Sequence, residues 1–281
     1  MATTDQARRL NHRIRSAAEN ADTTPSRLRT QIVFQRILCR LATDPRWVLK
    51  GGFSLEVRLG LAARATRDLD LWRLGEPMSD RRELQDLLDE ALELDLHDDF
   101  TFSVGVPRTM TIQDAEASTW RVPVAARYAE SPFADVAIDI VSADNPHHEV
   151  EPLAIPATIV GDDFTMSAMD LHRHAAEKYH ACVRVYAHDR PSTRVKDLVD
   201  LVLLLDHDLV IPDRVGTSLR HVFDERNHAT PPAEWPTQPP ADWDTTYPPL
   251  AHDWGASLTT CADAWAVVGR FYVRALGKDP R

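Results

Sequence analysis

A glycine turn followed by two aspartates one residue apart is the part of the sequence with the clearest chemistry. Lys50 leads into Gly51-Gly52, and Asp68 and Asp70 come soon afterwards. Alternate residues of a strand share a face, so we expect both carboxylates on one face, where a cation would relieve their repulsion. Backbone N–H groups at a helix N-terminus bind phosphate. A phosphate-binding turn beside two metal-binding carboxylates predicts nucleotidyl transfer assisted by a divalent metal.

A third metal ligand is expected from a neighbouring strand. Segment 136–140 has Asp139 between two isoleucines, a pattern typical of a buried strand, while Asp135 has the same strand parity. We prefer Asp139 for this reason, and we assign Asp68, Asp70 and Asp139 to Mg²⁺. An isolated Asp-x-Asp pair is more often part of a solvated edge strand, so the adjacent glycine turn is what favours the metal.

A second set of residues lies on two predicted helices. Lys178 is on the first, and Asp197 and Asp200 lie three residues apart on one face of the next. We predict that Lys178 binds the triphosphate and that one of the two aspartates orients the lysine or a base. The spacing leaves open which aspartate does so. The structural alternative is a surface lysine with acids at the rim of an apolar stripe.

The residue pattern predicts an α+β fold in which a small mixed sheet positions the carboxylates and helices follow. We expect a first domain over 1–160 and a mostly helical domain over 161–281.

The predicted helices are 5–20, 25–43, 54–61, 80–96, 167–185, 194–207, 213–226 and 258–276, and the predicted strands are 47–50, 68–72, 101–106, 110–113, 119–128 and 136–141. Segment 146–156 reads as a connection. Segment 230–249, rich in Pro and Trp, reads as an irregular strap held by Trp235, Trp243 and Tyr247.

Composition limits the classes of function. The net charge of −11 excludes a general nucleic-acid coat protein. Eight arginines lie in the first forty residues, and they form either an ordinary exposed helical face or a local basic surface for a polyanion. Three separated cysteines in apolar contexts favour buried thiols, and neither a signal peptide nor a membrane span is expected. We therefore expect a cytoplasmic protein, and the absence of a heptad pattern favours a monomer.

The motifs resemble those of the AbiEii/AbiGii nucleotidyltransferase toxins. The specific part is Lys50-Gly51-Gly52-Phe53-Ser54-Leu55 followed by Arg64-x-Thr66-x-Asp68-Leu69-Asp70-Leu71. Glu177-Lys178 and the segment 194–201 resemble the family's later motifs. The resemblance covers roughly residues 48 to 205, and the composition suggests the mycobacterial Men-type branch.

The resemblance implies a polymerase-beta-like nucleotidyltransferase fold and a toxin opposed by a cognate antitoxin. In the Men-type branch it implies nucleotide transfer from a nucleoside triphosphate to the 3′ end of tRNA, with Mg²⁺ as cofactor, which would block translation. The implied catalytic residues are Asp68, Asp70, Lys178, Asp197 and Asp200, and the implied nucleotide-binding residues are Lys50, Gly51, Gly52, Ser54 and Thr66. Phosphorylation of Thr66 would put negative charge beside the aspartates, which mass spectrometry after co-expression with the antitoxin would detect.

Two other functions fit the same residues. The acceptor hydroxyl can belong to a protein or a small molecule instead of tRNA. Alternatively, the chain is a non-catalytic regulator that only binds nucleotide, in which case Asp68→Ala would leave any growth inhibition intact. The sequence does not identify the preferred nucleotide, the tRNA targets, the mode of neutralisation by the antitoxin or the role of segment 230–249.

Overall fold

Capping residues mark where several helices begin in the computed structural model. Thr24 accepts a hydrogen bond from the N–H of Arg27 at the start of α2 (Pro25–Leu41), which has proline in its first turn. Asp80 accepts from the N–H of Arg82 at the start of α4 (Arg81–Leu92). Both helix starts agree with the sequence-based prediction.

The structure describes residues 2–60, 66–76, 78–110, 118–143, 149–185 and 190–278. These form two units, of which the first ends at Met169 and the second begins at Asp170. Besides α2 and α4, the described helices are α1 (Ala2–Asn20), α3 (Gly51–Leu59), α5 (Leu171–Val183), α6 (Val195–Asp206), α7 (Pro212–Asn227), α8 (Trp243–Asp253) and α9 (Cys261–Ala275). None of the described helices combines the length and apolar character needed to cross a membrane. Motif residue Arg64 and the predicted strand residues 111–113 lie outside the described residues.

A mixed sheet forms the centre of the first unit. Its described strands are β1 (Trp47–Lys50), β2 (Asp68–Leu74), β3 (Phe100–Val104), β4 (Arg108–Met110), β5 (Ser118–Tyr128), β6 (Ser131–Ala143), β7 (Val150–Ile155) and β8 (Phe164–Met169). The strand order is β3-β5-β6-β2-β1-β8-β7, and β4 also pairs with β5. β2 runs parallel to β6 and antiparallel to β1. The predicted α+β architecture, a mixed sheet followed by helices, is confirmed.

The hairpin of β5 and β6 contains one irregularity. Ala126 pairs with Ala134, but Arg127 pairs with Pro132, so Phe133 has no partner in the ladder. One residue more on one strand than on the other is a β-bulge. The ring of Phe133 packs edge-on against Phe100, with centroids 5.2 Å apart. This contact anchors the bulged residue in the apolar cluster beneath α1.

Three of the N-terminal arginines are structural rather than part of an open basic surface. Arg36 and Arg40 on α2 are buried, and Arg40 makes a two-pronged ion pair with Asp98 at 2.8 and 3.0 Å. Arg27 pairs with buried Glu56 at 2.8 Å. Of the two alternatives that the sequence left open, a local basic surface could therefore include only some of the eight arginines.

Two predicted features of the chain are wrong around residues 146–170. Residues 150–155 form strand β7, although the segment was predicted as a connection, and residues 164–169 form β8. The helix predicted from residue 167 begins at Leu171, where the side chain of Asp170 accepts hydrogen bonds from the N–H groups of His172 and Arg173. β7 is the last strand of the sheet, and an edge strand tolerates Pro152 because one side of its backbone needs no partner.

The second unit is helical, and the Pro- and Trp-rich segment 230–249 packs against its helices. Part of the predicted irregular strap is helix α8, whose Trp243 and Tyr247 are fully buried. Trp235 packs against Trp265 on α9 with ring centroids 4.5 Å apart. Gly269 is required there, since a Cβ at this position would overlap the Trp235 ring. The predicted anchoring by Trp235, Trp243 and Tyr247 is confirmed, and it explains why a proline-rich segment is ordered.

Candidate active site

Four charged residues lie side by side across the middle of the sheet. Lys50 on β1 pairs in register with Asp70 on β2, and Asp70 pairs with Asp139 on β6. Asp139 pairs in turn with Arg121 on β5. Residues directly opposed on neighbouring strands project from the same face of a sheet. These four residues, which we call the charged row, therefore place two carboxylates between two cations.

Asp68 joins the carboxylates of the charged row from the same face. β2 buries Leu69 and Leu71 and leaves Asp68 and Asp70 partly exposed, as the alternation predicts. Burial raises the pKa of Asp70 from its ordinary value. The charges of Asp139 and Asp68 raise it further, against the opposing effect of Lys50. A cation bound beside Asp70 would offset this cost of ionising its carboxylate.

The glycine turn holds Asp70 in place. Helix α3 begins at Gly51, which has a φ of +67°, and not at Ser54 as predicted. The N–H of Gly52 donates a hydrogen bond to the Asp70 carboxylate. Ser54 is fully buried, and its hydroxyl accepts a hydrogen bond from Arg58. A contact between the Ser54 hydroxyl and a nucleotide phosphate would therefore need a rearrangement, and the turn's observed role is to orient Asp70.

Two other residues predicted to bind nucleotide lie close to the carboxylates. The ammonium of Lys50 is 5.2 Å from the centre of the Trp72 ring, a cation–π contact. The hydroxyl of Thr66 donates to the backbone carbonyl of Asp68 at 3.1 Å. The backbone N–H of Thr66 approaches buried Glu56 at 3.4 Å. Both residues have a fixed position beside β2, and their contact with nucleotide stays a prediction.

Arg121 is a site residue that the sequence analysis missed. Its Nε and Nη2 donate to the two carboxylate oxygens of Asp139 at 2.8 and 2.9 Å. Its Nη2 is also 2.9 Å from Asp68. In the segment Trp120-Arg121-Val122, alternation places Arg121 on the polar face of β5, but only the pairing of β5 with β6 shows that this face carries Asp139.

The carboxylates fit a divalent cation by their chemistry. Asp68, Asp70 and Asp139 offer hard oxygen ligands of the kind that Mg²⁺ takes in proteins, and the guanidinium of Arg121 already serves as a cation for two of them. Within the described ranges, no group of three or more His, Cys, Asp or Glu is arranged to hold a metal ion. Arg121 draws Asp68 and Asp139 to itself, so a metal would have to replace that pairing.

The residues predicted on helices α5 and α6 form a buried ion cluster in the second unit. The ammonium of Lys178 donates to Asp197 at 3.0 Å and to Asp200 at 2.6 Å. All three residues are buried. The sequence left open which aspartate approaches Lys178, and in the structure both do.

Asp197 also accepts a hydrogen bond from Arg194, at 2.7 Å. Although burial opposes ionisation, the positive charges of Lys178 and Arg194 hold the pKa of Asp197 well below its usual range. Burial raises the pKa of neighbouring Cys182 well above its ordinary value, so this thiol stays protonated. Lys178, Asp197 and Asp200 thus lie in the interior of the unit and Arg194 at its surface, and the role of the cluster in catalysis stays a prediction.

Comparison with known proteins identifies the family. The model of the nucleotidyl transferase AbiEii toxin family, assigned to type IV toxin–antitoxin systems, matches residues 33–263. This chain belongs to the AbiEii family. The predicted recognition is confirmed, and the match includes every residue assigned to the site. A search of curated proteins finds no match.

Solved structures similar to this AbiEii-family chain include one with a clearly related fold. MenT4, the nucleotidyltransferase toxin Rv2826c from Mycobacterium tuberculosis H37Rv, is 20% identical, with 95% of this chain and 90% of MenT4 covered at a TM-score of 0.55. The antibiotic-resistance factor ANT(2'')-Ia is 15% identical, with 71% and 94% covered and a TM-score of 0.38. The CD-NTase CdnG of Bradyrhizobium diazoefficiens is 12% identical, with 89% and 84% covered and a TM-score of 0.25. MenT4 confirms the nucleotidyltransferase fold.

As an AbiEii-family member, the protein is a nucleotidyltransferase toxin of a toxin–antitoxin system. Family membership implies a nucleoside triphosphate substrate, a divalent metal and a cognate antitoxin. The roles assigned to single residues stay predictions.

Alanine in place of Gly51 tests the role of the turn in this AbiEii-family site. A Cβ there would overlap the Asp70 carboxylate, so we expect the rate of nucleotidyl transfer to fall about a hundredfold. Gly60→Ala is the matched control, because Gly60 also has a positive φ, of +62°, but no atom of the described residues lies within 4 Å of its Cβ position. Initial rates of labelled-nucleotide incorporation measure the effect, and equal losses in the two variants would contradict it.

Proposed function

We propose that this toxin transfers a nucleotidyl group from a nucleoside triphosphate to the 3′-hydroxyl of tRNA and thereby blocks translation. The observation that carries the proposal is the convergence of Asp68, Asp70 and Asp139 on one face of the sheet beside the glycine turn. A cytoplasmic enzyme acting as a monomer would suffice for this reaction.

The residues of the first unit have distinct roles in the proposed reaction. Asp68, Asp70 and Asp139 would hold Mg²⁺, which when bound activates the attacking hydroxyl and stabilises charge on the α-phosphate. Asp70 is held by the N–H of Gly52, so its carboxylate is oriented before substrate binds. Lys50 places a positive charge next to Asp70 in the charged row, where it would attract the triphosphate.

Exposed cations in the first unit support a polyanionic acceptor. Arg8, Arg9, Arg13 and Arg15 on α1 are exposed, although Arg9 pairs with Asp5 and Arg13 donates to the carbonyl of Ile159. A local group of arginines attracts RNA even when the net charge of the protein is negative.

Labelling of separate acceptor pools tests the proposal. The protein is incubated with Mg²⁺ and each α-³²P-labelled nucleoside triphosphate, together with total tRNA, nucleic-acid-free cell protein or small metabolites. We expect label in tRNA only. Periodate oxidation of the tRNA, which destroys the terminal vicinal hydroxyls, should abolish the labelling because it removes the acceptor.

Two outcomes would contradict the proposed acceptor. Label on protein or metabolites but not on RNA would favour the alternative acceptors considered from the sequence. Equal labelling of intact and periodate-treated tRNA would place the nucleotide elsewhere than at the 3′-hydroxyl. Asp70→Asn serves as the inactive control in each pool.

A further inference from the structure

The ion pairs of Arg121 involve two of the three carboxylates that are predicted to bind a metal. The guanidinium donates two parallel hydrogen bonds to Asp139, at 2.8 and 2.9 Å, and forms an ion pair with Asp68 at 2.9 Å. Asp68 and Asp139 lie on either side of Asp70, one along the same strand and one on the neighbouring strand. One arginine therefore satisfies two of the three predicted metal ligands.

Stabilisation of the fold does not adequately explain why Arg121 makes these ion pairs. The side chains of Arg121 and Asp68 are 40% and 44% exposed, so neither closes the apolar core. An ion pair as exposed as Arg121–Asp68 contributes little to the stability of the fold. The apolar face of the same strand, with Trp120 and Val122 buried, holds β5 in the sheet without help from Arg121.

The balance of charge also favours exchange of Arg121 for a metal. An arginine carries one positive charge, while three carboxylates carry three negative ones, and Lys50 offsets only one more. A divalent cation would neutralise the carboxylates more fully than Arg121 does. The guanidinium of Arg121 stays charged, so it cannot release the carboxylates by losing a proton. Its side chain must instead rotate away from them.

We propose that Arg121 takes the place of the divalent cation in the metal-free toxin and competes with it for Asp68 and Asp139. This inference rests on the proposed function, since it takes those carboxylates as metal ligands. Arg121 thereby weakens metal binding in the free protein. The toxin would fill its metal site chiefly when a nucleoside triphosphate arrives with its own bound metal.

Titration with Mn²⁺ tests the competition without measuring catalysis. Free Mn²⁺ is measured by electron paramagnetic resonance with the full-length wild type, Arg121→Gln and Arg108→Gln. Arg108 is the matched control because it is an exposed arginine on β4, in register beside Arg121. We expect Arg121→Gln to bind Mn²⁺ about tenfold tighter than the wild type and Arg108→Gln to bind it as the wild type does.

Two further variants locate the effect. Adding Asp70→Asn to Arg121→Gln should abolish the gain, because it removes a ligand of the same site. Arg121→Lys keeps the charge but loses the two-pronged grip on Asp139, so we expect an affinity between those of the wild type and Arg121→Gln. Should Arg121→Gln fail to fold by circular dichroism, the lysine variant carries the test with the same expected direction.

Several results would overturn the proposal. If the affinity of Arg121→Gln for Mn²⁺ equals or falls below that of the wild type, Arg121 does not compete with the metal. An equal gain in Arg108→Gln would show a general effect of charge, and a gain that persists with Asp70→Asn would place the metal elsewhere. Absence of Mn²⁺ binding in every variant, with or without nucleotide, would remove the metal site of the proposed function too. Failure of tRNA labelling alongside a tenfold gain would overturn only the proposed acceptor.

Discussion

Asparagine in place of Asp70 is expected to lower the rate of nucleotidyl transfer by at least about a thousandfold and to abolish growth inhibition. Asp70 is the central carboxylate of the charged row, and it is oriented by the glycine turn. Its loss would remove a ligand from the proposed metal site without changing the size of the side chain. Initial rates of labelled-nucleotide incorporation and growth after induced expression measure the two effects.

The same substitution should leave the fold intact. The pKa of Asp70 is raised by burial and by the neighbouring carboxylates, so its charge is a cost to the folded protein. We expect the free energy of unfolding of Asp70→Asn to equal or exceed that of the wild type. Asp135→Asn is the control, because Asp135 is exposed on β6 with the same parity as Asp139. A retained rate above about a tenth of wild type would contradict the assignment of Asp70.

Methionine in place of Lys178 is expected to lower the free energy of unfolding by about 3–5 kcal/mol. It would leave Asp197 and Asp200 buried without the ammonium that both approach. Urea unfolding followed by tryptophan fluorescence suits this measurement, since Trp235, Trp243, Trp254 and Trp265 all lie in the second unit. Lys196→Met is the control, because Lys196 is exposed on the same helix as the two aspartates.

A triple variant separates the structural role of this cluster from a catalytic one. Lys178→Met combined with Asp197→Asn and Asp200→Asn leaves no uncompensated charge among the three, so most of the lost stability should return. If the cluster serves catalysis, as the family motifs imply, the refolded triple variant will still be inactive. Unchanged unfolding of Lys178→Met would contradict the structural prediction, and full activity of the triple variant would contradict the catalytic one.

Local patterns predicted the strands that hold the carboxylates, but not what surrounds them. Alternation of polar and apolar residues along β2 put Asp68 and Asp70 on one face, because this signal needs only neighbouring residues. The pairing of Arg121 with Asp139 depends on strand register, which contacts distant in sequence determine. Gly51 was interpreted as part of a phosphate-binding turn, whereas its contact with Asp70 appears only once β1 and β2 are paired.

Prolines caused the main errors in the predicted fold. Pro152 argued against a strand, yet β7 lies at the edge of the sheet, where a missing N–H costs nothing. Pro248 and Pro249 argued against a helix, yet both lie within α8. The burial of Trp243 and Tyr247 on that helix compensates for the lost backbone hydrogen bonds, and tertiary packing of this kind is not visible in a local pattern.

The bulge at Phe133 has a consequence for how sequences of this kind can diverge. It lies between the tip of the β5–β6 hairpin and the charged row, and it shifts every later pair by one residue. If Phe133 were paired with Ala126 instead of bulging out, Arg121 would stand opposite Ile138 and the two polar faces would no longer coincide. Deletion of Phe133 alone would leave Ala126 opposite Ala134 and Arg121 opposite Asp139, so the site needs either the bulge together with its extra residue or neither. Homologues that lack the bulge should therefore also lack one residue between the hairpin tip and Asp139.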